Sequence, residues 1–324
     1  MVKSKRSHAV GLVMDAAEIR AVELAGLPQA PRLVASGCAA LPEGLLVDGL
    51  FTDVPAAGAL LSRLLRENSF SGAPLIIGAK NQNVLLRMAS FSKVPADKMR
   101  NAVMYQAQQF IPIPVADLVL DYVECSEQSE GERPSVNLLL VGAKKVFLDN
   151  MLGLAQSVGH EVRDVDSAIL ASVRAVVSSE VPAGEAFLLA DIDHETLSMM
   201  IVCDGEILMA RAAAHSARFQ ALAHGRHEDL TLEDAAIGEL AALLENDIRA
   251  SLHYYAAQGS AQVSHIYMIG RFAQMDQLIM ELNACAEVPV TLPNLYPALQ
   301  ESIDTIRFGT CISLALRGLG GNNR

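Results

Sequence analysis

Apolar residues recur along this chain in two rhythms, short continuous runs that predict strands and three-to-four spacings that predict helices. Ala9 to Met14 and Ile19 to Leu24 flank a polar turn, Asp15-Ala16-Ala17-Glu18, and so predict a hairpin. Phe187 to Ile192 and Leu197 to Cys203 flank Asp193-His194-Glu195-Thr196 in the same way, and this second pair closes at Asp204-Gly205, a turn dipeptide. The two hairpins start 178 positions apart, at Ala9 and Phe187, which points to a duplicated two-lobe fold. Leu75 to Ala79 and Val263 to Ile269 are apolar throughout and predict buried strands; Val115 to Glu124 and Ser135 to Ala143 predict two more. Helical spacing marks Leu60 to Leu65, Phe147 to Val158 before Gly159, Ser167 to Val177, and the stripe Leu240, Leu244, Ile248, Leu252 and Tyr255. Alternating strand and helix signals predict an α/β architecture.

One segment breaks both rhythms. Met99, Val103, Ala107 and Phe110 form one apolar face of a helix opened by Pro95-Ala96-Asp97, within the run that ends YQAQQFIPIPVADLVLDY at Tyr122. Pro112 and Pro114 remove two backbone donors and bias Ile111 and Ile113 away from helix. The chain is therefore expected to leave as an extended segment and pass at once into a strand.

Composition narrows the class. With 324 residues, 51% hydrophobic and 19% charged, the chain can bury a large core. Its net charge of −12 disfavours sequence-independent nucleic-acid binding, which needs clustered Lys and Arg. Cys38, Cys125, Cys203, Cys285 and Cys311 stand singly, without CxxC spacing, as reduced thiols of the cytosol do. Lys3, Lys5 and Arg6 precede only a short apolar run broken by Asp15, so no targeting segment is expected. No apolar run approaches the roughly 20 residues of a membrane span, and the apolar stretch Cys311 to Leu319 suits a buried helix.

Candidate chemistry is sparse. Glu124, Glu127, Glu130 and Glu132 read as a solvated hairpin tip rather than a metal site. His215, His224 and His227, with Glu228, resemble zinc spacing only loosely and sit beside a polar Gly225-Arg226 turn. Walker A, G-x-S-x-G and H-E-x-x-H patterns are missing, and Gly318-Leu319-Gly320-Gly321 lacks the following helix that a phosphate loop requires.

Seven pieces, in order, resemble the type IV pilus assembly protein PilM family: VGLVMDAAEIRAVEL, MASFSKVPADKMRNAVMYQAQQFIPIPVADLVLDY, VGHEVRDVDSAILA, LLADIDHETLSMMIVCDGEI, LLENDIRASLHYY, VSHIYMIGRFAQMDQL and FGTCISLALRGL. The resemblance implies an actin-like ATPase fold with two lobes and four subdomains around a nucleotide cleft. Residues 1–180 would form lobe I, with an inserted α+β subdomain at about 84–148. Residues 181–324 would form lobe II, with a small subdomain at about 216–262.

The departures from the family pattern bear on mechanism. Where relatives carry Asp-Ile-Gly-Ser in the first phosphate loop, this chain has Val13-Met14-Asp15-Ala16; in the second, Asp-Ile-Gly-Ala becomes Asp191-Ile192-Asp193-His194. Both glycines that let backbone amides approach phosphate are aspartates. At about 5 Å and an effective dielectric near 20, each added carboxylate would cost a phosphate charge on the order of 3 kcal/mol. The adenosine loop reads Gly270-Arg271-Phe272, which puts two bulky side chains where a purine is expected, and Ala213-Ala214-His215-Ser216 replaces a glycine pair. A pseudo-ATPase is therefore expected, with no cofactor or at most weak ATP and magnesium. Asp191 and Thr196 remain, either as tight-turn residues or as a residual magnesium or phosphate site.

The resemblance further implies a cytoplasmic scaffold, peripheral at the inner membrane, which captures the N-terminal tail of a PilN-like bitopic membrane protein. The groove would lie between lobe I and the insert, walled by Phe91, Val94, Met99, Phe110 and Ile111, with apolar pockets for alternate side chains of an extended tail. Other pilus platform proteins would be further partners. Without a nucleotide between them, the lobes are expected to keep one fixed angle. Two alternatives stay open: an actin-like ATPase whose magnesium site uses Asp191 with Asp15 or Asp193, and a cytoplasmic platform component of a type II secretion system. No membrane span follows Leu319, which favours the pilus reading over the second.

Overall fold

The computed structural model describes residues 8–128, 134–179, 181–193, 196–216, 218, 219, 222, 234–258 and 262–320. Glu130, Glu132, His194, Glu195, His224, Gly225, Arg226, His227, Glu228 and Gly321 lie outside the described residues.

The first hairpin forms as β1 (His8–Met14) and β2 (Glu18–Leu27), extended by β3 (Ala30–Ala40). A two-stranded ribbon, β4 (Leu46–Val47) and β5 (Leu50–Phe51), leads into the helix Val54–Glu67, capped by the Asp53 side chain. Then come β6 (Leu75–Ala79), β7 (Val84–Ser92), β8 (Leu118–Gln128), β9 (Ser135–Lys144) and β10 (Val162–Ser167). The second half runs β11 (Ala186–Ile192), β12 (Thr196–Cys203), β13 (Glu206–Ala214), β14 (Val263–Ile269) and β15 (Val290–Thr291). Two five-stranded sheets result, β10-β6-β1-β2-β3 and β13-β12-β11-β14-β15. They have one topology: an antiparallel meander whose first strand pairs in parallel with a later strand. The hairpin β12–β13 turns at Asp204 and Gly205, both at positive φ (49° and 82°), as a tight two-residue turn requires.

Both faces of each sheet are buried, which is why the central strands read as continuous apolar runs. In lobe I, Val10, Leu12, Ile19 and Ala21 face the helices Val54–Glu67 and Lys145–Ser157, while Ala9, Val13, Val22 and Leu24 face the closing helix Thr305–Leu319. That helix comes so near that a Cβ on Gly11 would overlap the Cys311 carbonyl, and one on Gly78 would lie 2.7 Å from Leu314 Cδ1. In lobe II, Leu188, Ala190 and Ile192 face the helices Asp234–Ala256 and Asp276–Cys285, and the stripe Leu240, Leu244, Ile248 and Tyr255 is core there. Phe187 and Leu189 face the helix Ala168–Val177 through Ile169, Val173 and Val176.

One helix departs from the expected lobe boundary between residues 180 and 181, and another bridges the two lobes. The closing helix, placed in lobe II by chain order, covers the lobe I sheet, and the helix Ala168–Val177 touches both sheets, lobe I through Ala168 and Ala171 and lobe II through Ile169, Val173 and Val176. The two also pack on each other, so the lobes share a helical seam. Chain order does not say which sheet an amphipathic helix covers; complementary apolar faces do.

The insert is a three-stranded antiparallel sheet, β7-β9-β8, with the helix Ala96–Gln106 on one face. Leu138 and Leu140 pack under that helix with Met99 and Val103, whereas Leu139, with Leu86 and Cys125, faces lobe II at Met200 and Ile207. The strict alternation of β9 thus buries both faces. The proline segment differs from expectation: a 3-10 turn, Val115–Asp117, separates Pro114 from β8, which starts at Leu118 rather than Val115. The Gln108 amide supplies the bonds this segment cannot make for itself. Its Oε1 accepts from Val115 N (3.1 Å) and its Nε2 donates to Ile111 O (3.2 Å) and Ile113 O (3.4 Å).

Candidate functional site at the lobe junction

The parallel strands β1, β6 and β10 of one lobe and β11 and β14 of the other end at the junction between the lobes, the end at which open α/β sheets place their sites. Lys80 follows β6 directly, and its Nζ stands 2.7 Å from Asp191 Oδ1 and 2.8 Å from Asp193 Oδ2. All three side chains are buried. Burial alone would lower the Lys80 pKa, but the charges of Asp191 and Asp193 and the bonds to them outweigh it and raise it. Burial would likewise raise Asp193; the Lys80 charge, its hydrogen bond and the Thr196 amide hold it below its ordinary value.

The remaining carboxylate oxygens are held as well. Thr196 donates to Asp193 Oδ1 through its backbone N (3.0 Å) and its Oγ1 (3.1 Å), which makes Asp193 the organiser of the hairpin turn. Ser172 Oγ donates to Asp191 Oδ2 (3.1 Å) and also bonds Thr310 Oγ1 (2.9 Å), joining Asp191 to both seam helices. Gly270, at φ 91°, brings the chain so close to β11 that a Cβ would lie 2.7 Å from Asp191 Oδ1 and against the Ile192 carbonyl. His215 Nε2 lies 2.9 Å from the Asp193 carbonyl oxygen, and its ring stacks on Phe219.

A second ionic group surrounds the first hairpin turn. Asp15 was expected to face phosphate, yet its Oδ1 accepts from Ala17 N (2.8 Å) and Glu18 N (3.0 Å), and its Oδ2 accepts from Arg20 Nη2 (3.0 Å). Its carboxylate is spent on its own turn. Arg20 Nε reaches Glu18 Oε1 (3.3 Å) and its Nη1 donates to the Arg307 carbonyl (2.7 Å); Arg307 Nη2 donates to Glu18 Oε2 (2.5 Å). Arg271 is buried and feels Glu18 and Asp15 across the junction, although burial itself lowers its pKa. Together the junction sets four carboxylates, Asp15, Glu18, Asp191 and Asp193, against four cations, Arg20, Lys80, Arg271 and Arg307.

The other expected site residues separate. Phe272 does not stand open in a purine position: its ring is buried in the lobe II core, edge-on to Phe219. Val13 is buried under the closing helix. In the insert, Phe91, Met99 and Ile111 are core and cannot wall a groove; Val94 and Phe110 are half-buried above them, with the Phe91 and Phe110 rings 5.4 Å apart. Lys80, Arg20 and Arg307 were missed. The signal for Lys80 was present, a lone cation at the C-terminal end of a wholly apolar strand; Arg307 had none, since its partner Glu18 is 289 positions away. Among the described residues no group of three or more His, Cys, Asp or Glu side chains is placed to hold a metal ion.

Two lobes of one topology, joined by a seam of two helices and facing each other through the ends of their parallel strands, define an actin-like fold. The family model for type IV pilus assembly protein PilM matches residues 11–247, and the chain belongs to that family. Among solved structures it resembles the PilM-PilN type IV pilus biogenesis complex, with a TM-score of 0.82 at 22% identity over 96% of this chain and 98% of that one. It also resembles the ethanolamine utilization protein EutJ from Carboxydothermus hydrogenoformans, with a TM-score of 0.53 at 12% identity over 95% and 89% of the two chains.

Proposed function

We propose that this chain is a nucleotide-independent scaffold of a type IV pilus assembly platform, a pseudo-ATPase that docks the N-terminal tail of a PilN-like inner-membrane protein and is held at the cytoplasmic face of that membrane by it. The carrying observation is the position of Lys80 Nζ between Asp191 and Asp193. A magnesium nucleotide would need those carboxylate oxygens and the backbone approach at the two phosphate loops. Lys80 takes the oxygens, Asp15 is turned onto Arg20, and Gly270 is packed against β11. These residues do not fit a magnesium nucleotide.

Family membership and the likeness to a complex titled PilM-PilN support the partner. Among the described residues no helix is long and apolar enough to cross a membrane, so a membrane protein is the anchor this reading supplies. The docking wall it assigns is the half-buried set Val94, Phe110, Ile113, Val115 and Tyr122 over the core of the insert. Calorimetric titration with Mg-ATP tests the first half: no heat is expected, and micromolar binding overturns nucleotide independence. For the second half, a peptide of the first residues of a PilN-like protein should bind equally with and without Mg-ATP and lose at least about tenfold on Phe110→Ala. Unchanged binding by that variant overturns the assigned wall.

A further inference from the structure

The chain crosses between the lobes twice, from the helix Ala168–Val177 to β11 and from β15 to the closing helix. The second crossing holds a strained residue. Tyr296 is left-handed, at φ 45° and ψ 61°, immediately before Pro297. The other described non-glycine residues at positive φ are Asp48, Ser69 and Asp204, whose short polar side chains suit tight turns. A bulky aromatic does not suit that conformation, and a following proline biases its neighbour towards extended backbone. Such a residue persists only where its surroundings over-determine it.

The surroundings of Tyr296 belong to both lobes. Leu295 is buried in the core that joins the helix Ala168–Val177 to the lobe II sheet, and a Cβ on Gly309 of the closing helix would come 2.7 Å from its Cδ1. Leu299 and Ile303 are buried in the other core, between the closing helix and the lobe I sheet. The half-buried ring of Tyr296 packs against both cores. Its hydroxyl faces Ser313 on the closing helix and Ser178, which caps the helix Ala168–Val177 at the start of the first crossing; burial pushes its pKa up to about 12. Hinge residues absorb a change of lobe angle through their own φ and ψ. Here the residue at the crossing is fixed by its side chain instead, because a return to extended backbone would draw the ring out of the two cores and Leu295 away from Gly309.

We propose that Tyr296 is a strained pin at the hinge, whose ring, wedged between the cores of the two lobes, ties the second crossing to the end of the first and so sets the lobe angle. The pin goes beyond the nucleotide-independent reading and does not rest on it, since none of its residues contributes to the ion groups of the junction. Spin labels test it on the full chain. Cys38 of lobe I and Cys285 of lobe II are exposed, whereas Cys125 and Cys311 are buried, so a Cys203→Ser parent takes one label in each lobe. That parent should give one narrow distance distribution by double electron–electron resonance. Tyr296→Gly removes the ring and accepts the left-handed backbone, so it should fold while the distribution widens at least about twofold or splits. Tyr296→Phe keeps the ring and should keep the parent's distribution. Should Tyr296→Gly not fold, Tyr296→Asn, which also tolerates left-handed backbone, carries the same expectation. The parent's distribution in folded Tyr296→Gly or Tyr296→Asn overturns the pin and leaves the angle to the ion groups. A parent with two distances overturns it too, as does a broadened Tyr296→Phe, which would place the tie in the hydroxyl rather than the ring.

Discussion

At the residue scale, the ammonium of Lys80 governs the electrostatics of the junction, and pH gives the sign of its contribution. Asp193 titrates below its ordinary 3.8 in the folded chain, so its contribution is complete above that value and is lost as pH falls through the lowered one. Lys80 titrates above 10.5, so its contribution is complete below that value and is lost as pH rises through the raised one. The Lys80 ion group is therefore expected to be constant from about pH 5 to about pH 9, which scattering across that range would check. His215 behaves differently. Burial lowers its pKa from 6.5, against the attraction of Asp193, so the unfolded chain takes up a proton first as pH falls. Stability should begin to drop as pH falls through the ordinary 6.5, and that drop should shrink in His215→Gln, as thermal unfolding would show. Gly270→Ala forces a Cβ against Asp191 and a non-glycine residue to φ 91°; a loss of about 2–3 kcal/mol is expected in denaturant unfolding.

At the element scale, the insert and the seam helices hold the molecule together. Leu139 is fully buried where the insert sheet meets lobe II, so Leu139→Ala should cost about 2–5 kcal/mol in denaturant unfolding, as a core leucine does. The more specific outcome concerns Gln108. Its amide serves Ile111, Ile113 and Val115 across the two prolines, so Gln108→Ala should leave the fold intact and raise hydrogen exchange at the Val115 amide selectively. Equal exchange in variant and wild type would show that water serves that segment as well as the glutamine does. The hairpins, the buried strands and the stripe of the helix Asp234–Ala256 were legible in the sequence, since periodicity reports which faces are covered. The 3-10 turn after Pro114 was not, because a proline reports what the chain cannot do rather than what it does next.

At the scale of the whole molecule, the ion groups and the helical seam set the relation of the lobes. A buried pair that loses one partner leaves an unpaired charge, at a cost of about 3–5 kcal/mol, so the closed junction is strongly preferred over a state with Lys80 parted from its carboxylates. The expected consequence is a single lobe angle, with scattering curves that superimpose with and without Mg-ATP. Two radii of gyration under those conditions would overturn it. The wall proposed for tail docking is on the insert, which packs against lobe I through Val84 and lobe II through Leu86 and Leu139, so a fixed junction would also present a fixed surface there.

The sequence by itself determined the strands, their duplication and the family, because apolar runs, turn residues and the order of seven segments are properties of neighbours along the chain. It also exposed the altered phosphate loops, since each is a contiguous motif. Tertiary structure alone decided what those loops do. Asp15 turns back to Arg20, Asp193 faces Lys80, and Phe272 goes to the core, each by a contact that chain order does not encode. It decided too that the closing helix covers the first sheet, where Gly11 and Gly78 leave room for it. Lys80 is 111 positions from Asp191, and only the folding of two separate sheets onto one seam brings that charge to its partners.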